Sequence, residues 1–259
     1  MATALITGPT AGLGRGFAEE FARRGFDLVL VARDRDRLDS LAAELTSSHG
    51  VRCEVLPADL ADRSDVDRVA ARLADDERPV TALVNNAGFG LNASFASDDV
   101  EDEQRMLDVL VVAVMRLTHA AVPGMVRRGT GLIINVSSVA GWITGGTYSA
   151  AKSWVTVFSE GLAQDLAGTG VRVTASCPGF TRTEFHARAG IDMASLPPWM
   201  WLEVPEVVDQ AMRDLALRRS VSVAGVQYRA LAAVLRHGPR SLVRLSTASR
   251  RSNPRFGRD

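Results

Sequence analysis

The chain has 259 residues, of which 46% are apolar and 23% are charged, and its formal net charge is zero. This is the composition of an ordinary soluble protein with a large core, and zero net charge gives no general attraction to nucleic acid or to a membrane. Two cysteines are too few for a disulfide framework. The first residues lack the features of a signal peptide, and no apolar run reaches the ~18 residues of a spanning helix. We therefore expect a reduced, cytoplasmic protein.

Short apolar runs alternate along the chain with longer amphipathic stretches. Continuous apolar strands separated by helices are typical of a parallel sheet that is covered on both faces. Because connections in such sheets are right-handed, the pattern predicts a Rossmann-like, doubly wound α/β fold of three layers. The predicted strands are residues 2–7, 27–32, 52–56, 82–85, 131–137 and 172–177. The predicted helices are residues 13–24, 34–48, 64–76, 100–127 and 147–167.

A glycine-rich turn follows the first predicted strand and reads Thr-Gly-Pro-Thr-Ala-Gly-Leu-Gly from Thr7 to Gly14. Gly8 lets the chain leave the strand sharply, Gly12 lets the backbone approach a pyrophosphate, and Gly14 lets the helix and strand pack closely. The N-terminus of the next helix then presents free N–H groups to phosphates. A tight turn without a ligand can have the same glycines, but the position after the first strand favours a dinucleotide site.

The end of the second predicted strand indicates which dinucleotide is bound. Enzymes that use NAD usually have a carboxylate there, which binds the ribose hydroxyls. This chain has Ala32 followed by Arg33, and a guanidinium group can pair with the 2′-phosphate of NADP. Although the neighbouring Asp34 adds a negative charge, the pattern favours NADPH over NADH.

Three residues in the second half of the chain predict proton-transfer chemistry. Tyr148 and Lys152 are four residues apart on a predicted helix, so they project from the same face. A phenol has a pKa near ~10, and a nearby ammonium group and a positive nicotinamide would both lower that pKa. Ser138 ends the preceding strand, where its hydroxyl can bind a substrate oxygen. Ser137 is an alternative, because strand alternation points only one of the two serines at the site; we favour Ser138.

With these residues the chain resembles the short-chain dehydrogenase/reductase family over nearly its whole length. The resemblance implies that Tyr148 is the acid/base, that Lys152 binds the nicotinamide ribose and lowers the tyrosine pKa, and that Ser138 positions the substrate oxygen. The matching motifs are Thr7-Gly8-x-x-x-Gly12-x-Gly14, Asp59-Leu60, Asn85-Asn86-Ala87-Gly88, Ser138 with Tyr148 and Lys152, and Pro178-Gly179-Phe180-Thr181-Arg182-Thr183.

The same motifs imply an extended cofactor site. In the family the Asp-Leu pair contacts adenine, the Asn-Asn-Ala-Gly segment lies along the cofactor and the Pro-Gly segment holds the carboxamide. Together with Arg33, the expected cofactor-binding residues are Gly8, Thr10, Gly12, Leu13, Gly14, Asp59, Leu60, Asn86, Ala87, Gly88, Tyr148, Lys152, Pro178, Gly179, Thr181 and Thr183.

Two features of the chain depart from the family pattern. Members commonly have an asparagine in the long fourth helix that helps to hold a water linked to the lysine, whereas this chain has Leu110. Since leucine cannot hold that water, the proton relay must use another group or run slowly. Ser138 and Tyr148 are also closer in sequence than is usual, which shortens the loop over residues 142–146 and changes the substrate wall.

The segment that follows the Pro-Gly motif is predicted to cover the site. We expect one NAD(P)-binding domain over residues 1–245, with a lid at about 184–204 that is rich in apolar side chains, including Trp199 and Trp201. With Trp142 and Phe89 nearby, the lid suggests an apolar substrate, although it could simply pack its own tryptophans. Residues 236–259 contain seven arginines and one acid, and residues 246–259 are predicted to be a disordered basic tail.

These features lead to a ranked set of functions. The leading hypothesis is a reductase that uses NADPH to interconvert an apolar carbonyl compound and its alcohol. The alternative is a sensor or scaffold that binds NADP(H) and has weak catalysis, and a third possibility is an adaptor that uses the arginine-rich tail. The four histidines form no ligand set, so we expect no metal, and we expect neither nucleic acid nor a membrane as partner. The resemblance implies a homodimer or homotetramer.

Overall fold

The computed structural model describes residues 2–91, 95–96, 99–185 and 196–237. Within these residues the strands are β1 (Thr3–Thr7), β2 (Asp27–Ala32), β3 (Cys53–Pro57), β4 (Ala82–Asn85), β5 (Gly131–Val136), β6 (Val171–Ser176) and β7 (Val221–Ser222). They form one seven-stranded sheet in the order β3-β2-β1-β4-β5-β6-β7, and each neighbouring pair is parallel. The strand order reverses beside β1, and in such sheets ligands bind beyond the carboxyl ends of the strands at that point.

Helices connect the strands and cover both faces of the sheet. They are α1 (Gly12–Arg23), α2 (Arg35–His49), α3 (Arg63–Ala74), α4 (Val100–Leu107), α5 (Val114–Arg127), α6 (Gly146–Asp165), α7 (Val204–Ala216) and α8 (Val226–His237). Short 3₁₀ helices cover Val139–Trp142 and Pro198–Met200.

The core lies in two layers, one on each face of the sheet. On one face α1, α2 and α7 bury Phe17, Leu38 and Val208 against the strands. On the other face α3, α5 and α6 do the same, and Val69 and Leu117 are fully buried there. The strands are therefore apolar on both sides, which explains their continuous apolar runs. The predicted three-layer, doubly wound fold is confirmed.

The long helix predicted over residues 100–127 is divided in the structure. A π-helical segment, Asp108–Ala113, lies between α4 and α5, and π segments within helices are frequent at functional sites. By length and composition alone Val100–Arg127 could cross a membrane. Its inner face, however, buries Leu117 and Met125 against the sheet, as the core helix of a soluble domain does.

The sequence analysis did not predict the elements at the end of the described chain. These are α7, β7 and α8. The first turn of α7 is stabilised by the Glu206 carboxylate, which accepts a hydrogen bond of 2.7 Å from the backbone N–H of Glu203. Parts of two predicted segments lie outside the described residues: 186–195 of the lid and all of the tail at 246–259.

Candidate active site

The glycine-rich turn between β1 and α1 has a backbone that only glycine can supply. Gly8 and Gly12 have positive φ angles of 65° and 53°, which side chains rarely tolerate. A Cβ on Gly14 would lie 2.0 Å from the Gly8 carbonyl oxygen. The turn is held by Asn86, whose Nδ2 donates hydrogen bonds of 3.0 Å to the carbonyl oxygens of Thr7 and Gly8. The predicted turn and the Asn-Asn-Ala-Gly segment are therefore in direct contact.

The N-terminus of α1 is prepared for an anion. Helices α2, α3 and α4 each begin at an aspartate, Asp34, Asp62 or Asp99, whose carboxylate accepts backbone N–H groups of the first turn. Helix α1 instead begins after Ala11, with neither a side-chain cap nor an acidic residue in its first turn. Its first N–H groups therefore point to the site without a side-chain partner, which is the arrangement that binds phosphates.

Two arginines lie beside the turn, one of which the sequence analysis missed. Arg33 follows β2 and is exposed. The neighbouring Asp34 carboxylate is engaged at the start of α2, where it accepts the backbone N–H of Arg37 at 3.1 Å. The Arg37 guanidinium donates to the Thr10 carbonyl oxygen at 3.1 Å. Arg37 could have been found from its position in the first turn of the helix that follows Arg33.

The Asp-Leu pair after β3 has the expected position, next to the end of β2. The Asp59 carboxylate accepts a hydrogen bond from the backbone N–H of Ala61 at 3.1 Å and another from the Arg105 guanidinium. Leu60 is buried. Asp59 is thus oriented by α4, through an arginine that the sequence analysis did not single out.

Ser138, Tyr148 and Lys152 meet at the carboxyl end of β5. The Ser138 hydroxyl accepts the backbone N–H of Ala140 at 3.1 Å and is hydrogen-bonded to the Tyr148 side chain. Both Tyr148 and Lys152 are on α6, with the Lys152 ammonium 5.8 Å from the centroid of the Tyr148 ring. Lys152 is almost fully buried, and its Nζ donates to the Val136 carbonyl oxygen at 2.7 Å. The sequence-predicted set is therefore assembled in space.

Burial dominates the ionisation of two of these groups. Removal from water raises the pKa of the Tyr148 phenol to about 12, and the hydrogen bond with Ser138 acts in the opposite direction. Removal from water also lowers the pKa of Lys152 to about 8. In the protein without a nicotinamide the phenol pKa is thus shifted upwards, because desolvation outweighs the hydrogen bond with Ser138.

Leu110 lies in the π segment and packs beside the lysine. It is 1% exposed and forms an apolar cluster with Met106 and Ala151, against which Tyr148 also packs. A Cβ on Gly88 would lie 2.7 Å from a Leu110 methyl group and 3.9 Å from the Lys152 Nζ. The position where the family pattern has an amide is therefore occupied by hydrocarbon.

The Pro-Gly loop after β6 closes the other side of the site. The Pro178 carbonyl oxygen accepts the backbone N–H of Val139 at 3.0 Å, so the loop is tied to the residue after Ser138. The Thr181 hydroxyl donates to the Gly179 carbonyl oxygen at 3.1 Å. At the end of the loop a Cβ on Gly12 would lie 2.9 Å from the Thr183 methyl group. The loop therefore reaches from the serine to the glycine-rich turn.

A chain of buried side-chain hydrogen bonds lies in the core next to the site. Asn85 donates through Nδ2 to Asn135 at 2.8 Å and to Thr118 at 3.0 Å, and Asn135 donates to Ser159 at 2.9 Å. These bonds join β4, β5, α5 and α6 inside the core. The sequence analysis quoted Asn85 as part of a family motif and did not identify these partners, which come from distant segments. Within the described residues, no group of three histidine, cysteine or acidic side chains is arranged for a metal ion.

Comparison with known proteins agrees with this geometry. The pattern of the short chain dehydrogenase family matches residues 2–193. Sulfoacetaldehyde reductase 2 of Chromohalobacter salexigens is 42% identical over 197 residues, which are 74% of this chain and 77% of that protein.

Solved structures of dehydrogenases match this chain over its full length. A short-chain dehydrogenase from Sphingobium yanoikuyae in complex with NADPH has a TM-score of 0.85 and 38% identity, and the match covers 100% of this chain and 98% of that one. A bulky-bulky ketone specific alcohol dehydrogenase from Comamonas testosteroni has a TM-score of 0.78 and 31% identity, covering 100% and 96%. This chain therefore belongs to the short-chain dehydrogenase/reductase family of oxidoreductases.

Proposed function

We propose that this protein uses NADPH to interconvert an apolar carbonyl compound and its alcohol. The observation that carries the proposal is the assembly of Ser138, Tyr148 and Lys152 between the glycine-rich turn and the Pro-Gly loop. A protein that only bound the dinucleotide would need the turn but would have no use for a phenol that is hydrogen-bonded to a serine. The complete set therefore favours catalysis.

Each of the three residues has a distinct part in the proposed reaction. NADPH, when bound, supplies the hydride. Tyr148 donates a proton to the substrate oxygen during reduction and accepts it during oxidation, while the Ser138 hydroxyl donates a hydrogen bond to the same oxygen. Lys152 uses one donor on Val136, which leaves its remaining hydrogens for ribose hydroxyls. Because burial raises the pKa of Tyr148 to about 12, the phenol is protonated at neutral pH, which is the form that can donate the proton in the reduction.

The preference for NADPH rests on charge at the adenosine end of the site. Arg33 is exposed beyond β2, and Arg37 is held at the carbonyl oxygen of Thr10. Asp34, which would repel a 2′-phosphate, is turned towards the start of α2. The Arg33 and Arg37 guanidinium groups can both donate to a phosphate, and Arg37 also pairs with the Glu184 carboxylate at 3.6 Å. The relative from Sphingobium yanoikuyae is in complex with NADPH, which supports this assignment.

The proposed apolar substrate is supported by the surroundings of the phenol. Phe89, Leu91 and Val111 pack around the Leu110 cluster, and the Phe185 ring centroid lies 6.0 Å from that of Tyr148. Sites for small molecules usually bury apolar parts of the ligand against such side chains.

The proposal is tested by following NADPH oxidation with carbonyl compounds of matched size. The panel pairs apolar aldehydes and ketones with polar ones, including an aldehyde that carries a sulfonate. We expect kcat/KM to rise with the apolar surface area of the substrate, by about tenfold for each ~1.4 kcal/mol of added transition-state binding. Faster turnover of the sulfonated aldehyde would contradict the apolar site. Tight NADPH binding without turnover of any compound would favour the sensor.

A further inference from the structure

The Pro-Gly loop is attached to the C-terminal helix by a single buried side chain. Tyr228 on α8 is 1% exposed and packs in a small cluster with Leu202 and Ala224. Its phenol oxygen accepts the backbone N–H of Phe180 at 3.0 Å and donates to the Met200 carbonyl oxygen at 2.6 Å. One hydroxyl therefore joins the loop after β6 to the chain that returns from the lid.

The ring of Tyr228 also fixes the position of the loop backbone at Gly179. A Cβ on Gly179 would lie 2.1 Å from Cζ of the Tyr228 ring, a distance at which no side chain fits. The backbone of the loop therefore lies directly on the aromatic face. Any shift of the ring would be transmitted to Gly179 and Phe180, since no flexible side chain separates them.

Helix α8 is itself fastened to the helix that carries the phenol and the lysine. Near its end the Arg236 guanidinium pairs with the Glu160 carboxylate of α6 at 2.7 Å. The same guanidinium lies 5.8 Å from the centroid of the Trp142 ring, in the short 3₁₀ helix after Ser138. Tyr228 is thus presented to the loop by a helix that is anchored at both sides of the candidate site.

We propose that Tyr228 is a positioning residue of the cofactor site, which holds the Pro-Gly loop where the nicotinamide end of NADPH binds. This inference rests on the proposed function, because it takes the loop as the binding site of the carboxamide. Tyr228 contacts the loop itself at Gly179 and Phe180. Its contacts with the loop are therefore at the nicotinamide end, whereas Arg33 lies on the far side of β1.

The effect of Tyr228 on each end of the cofactor site can be measured by comparing two ligands. NADPH occupies both ends, whereas adenosine 2′,5′-bisphosphate occupies only the adenosine end. For the full-length Tyr228→Phe variant, which keeps the ring and loses both hydrogen bonds, we expect NADPH to bind about tenfold more weakly, as loss of a buried hydrogen bond predicts. Binding of adenosine 2′,5′-bisphosphate should be unchanged.

A matched control removes the effect of general destabilisation. Ala232 is buried on the same helix, one turn after Tyr228; Ala232→Gly lowers helix stability, keeps the Tyr228 ring and hydroxyl, and should bind both ligands as the wild type does. Equal weakening of both ligands by Tyr228→Phe, or no weakening of either, would overturn the inference. Failure of the wild type to bind NADPH would instead overturn the proposed function, and the positioning role with it.

A double-mutant cycle gives a second measurement, which does not depend on Tyr228→Phe folding well. Gly179→Ala introduces the clash with the ring and should weaken NADPH binding. In a Tyr228→Leu background the ring is absent, so the same change should have a smaller effect. Additive effects of the two changes on NADPH affinity would show that the ring does not position the loop, and would overturn the inference.

Discussion

At the scale of single residues, the direction of a side chain decides its role as much as its identity does. Ser137 and Ser138 are neighbours at the end of β5, and both carry hydroxyls. Ser137 points into the protein, where its hydroxyl donates to the Lys152 carbonyl oxygen at 2.6 Å and lies 2.8 Å from the Thr156 hydroxyl. Ser138 turns to Tyr148. The alternation of strand residues predicted that only one would face the site.

The role of Arg33 is tested by replacing it with alanine. We expect Arg33→Ala to weaken NADPH binding by about tenfold or more, since a charge-assisted hydrogen bond contributes ~1.5–3 kcal/mol, and to leave NADH binding nearly unchanged. Titration of each cofactor with wild type and variant measures this. Arg37→Ala should weaken NADPH binding in the same direction, because its guanidinium lies at Thr10 in the same proposed phosphate site. An equal effect of Arg33→Ala on both cofactors would contradict the 2′-phosphate assignment.

The buried Lys152 amine makes stability depend on pH. Because burial lowers its pKa to about 8 in the folded protein, the unfolded chain binds more protons between pH 8 and about 10.5. The free energy of unfolding should therefore rise with pH across that window, relative to Lys152→Met, by on the order of 3 kcal/mol. Urea unfolding of both proteins at several pH values measures the difference. Parallel pH profiles would show that the amine is solvated.

At the scale of elements, the π segment between α4 and α5 determines what surrounds the lysine. It places Leu110 against Gly88 and into the cluster with Met106 and Ala151. The family pattern has an amide at this position, whereas here the surroundings are apolar and offer an amide no hydrogen-bond partner among the side chains of the cluster. A proton that leaves Lys152 must therefore take a route other than this side chain.

The stability of the Leu110 variants tests whether this cluster is dry. Leu110→Asn buries an amide among apolar side chains and should lower the free energy of unfolding by about 2–4 kcal/mol. The volume-conserving Leu110→Met should cost less than about 1.5 kcal/mol. Urea unfolding of both variants gives the comparison. If Leu110→Asn were as stable as Leu110→Met, water or a polar group would have to reach the lysine there.

The elements of the sheet could be predicted from the sequence because each has a local signal. The strands Asp27–Ala32 and Ala82–Asn85 coincide with the predicted ranges, since continuous apolar runs end there at polar or turn residues. The division of residues 100–127 could not be predicted, because a π segment leaves the apolar pattern of a helix almost unchanged. β7 has two residues, too few for any periodicity.

The site was predictable to the extent that it follows from motifs. The turn, the serine, the tyrosine and the lysine are close together in the structure, as the sequence indicated. Three features depend on tertiary contacts and left no local signal: the amide chain from Asn85 to Ser159, the hydroxyl of Tyr228, and burial strong enough to raise the pKa of Tyr148. Arg37 was also missed, although it could have been predicted. Like Arg33, it is a cation close in sequence to the end of β2.

At the scale of the whole molecule, the outer faces of α5 and α6 carry exposed apolar side chains. Met115 is 43% exposed and Val157 is 66% exposed, and the resemblance to the family implies a homodimer or homotetramer that such side chains could help to form. We expect sedimentation to show an oligomer for the wild type and a smaller species for Val157→Glu, because a buried charge opposes association. The exposed polar site Asp102→Asn is the control. A monomeric wild type would contradict the proposed assembly.

The proposed function depends on hydride transfer with Tyr148 as the acid. The most direct measurement is NADPH oxidation with a carbonyl panel, wild type beside Tyr148→Phe, together with the NADPH affinity of both proteins. The account predicts unchanged affinity and a loss of turnover of ~10²–10⁴-fold, the usual contribution of general acid catalysis. Turnover that survived in Tyr148→Phe would contradict the account.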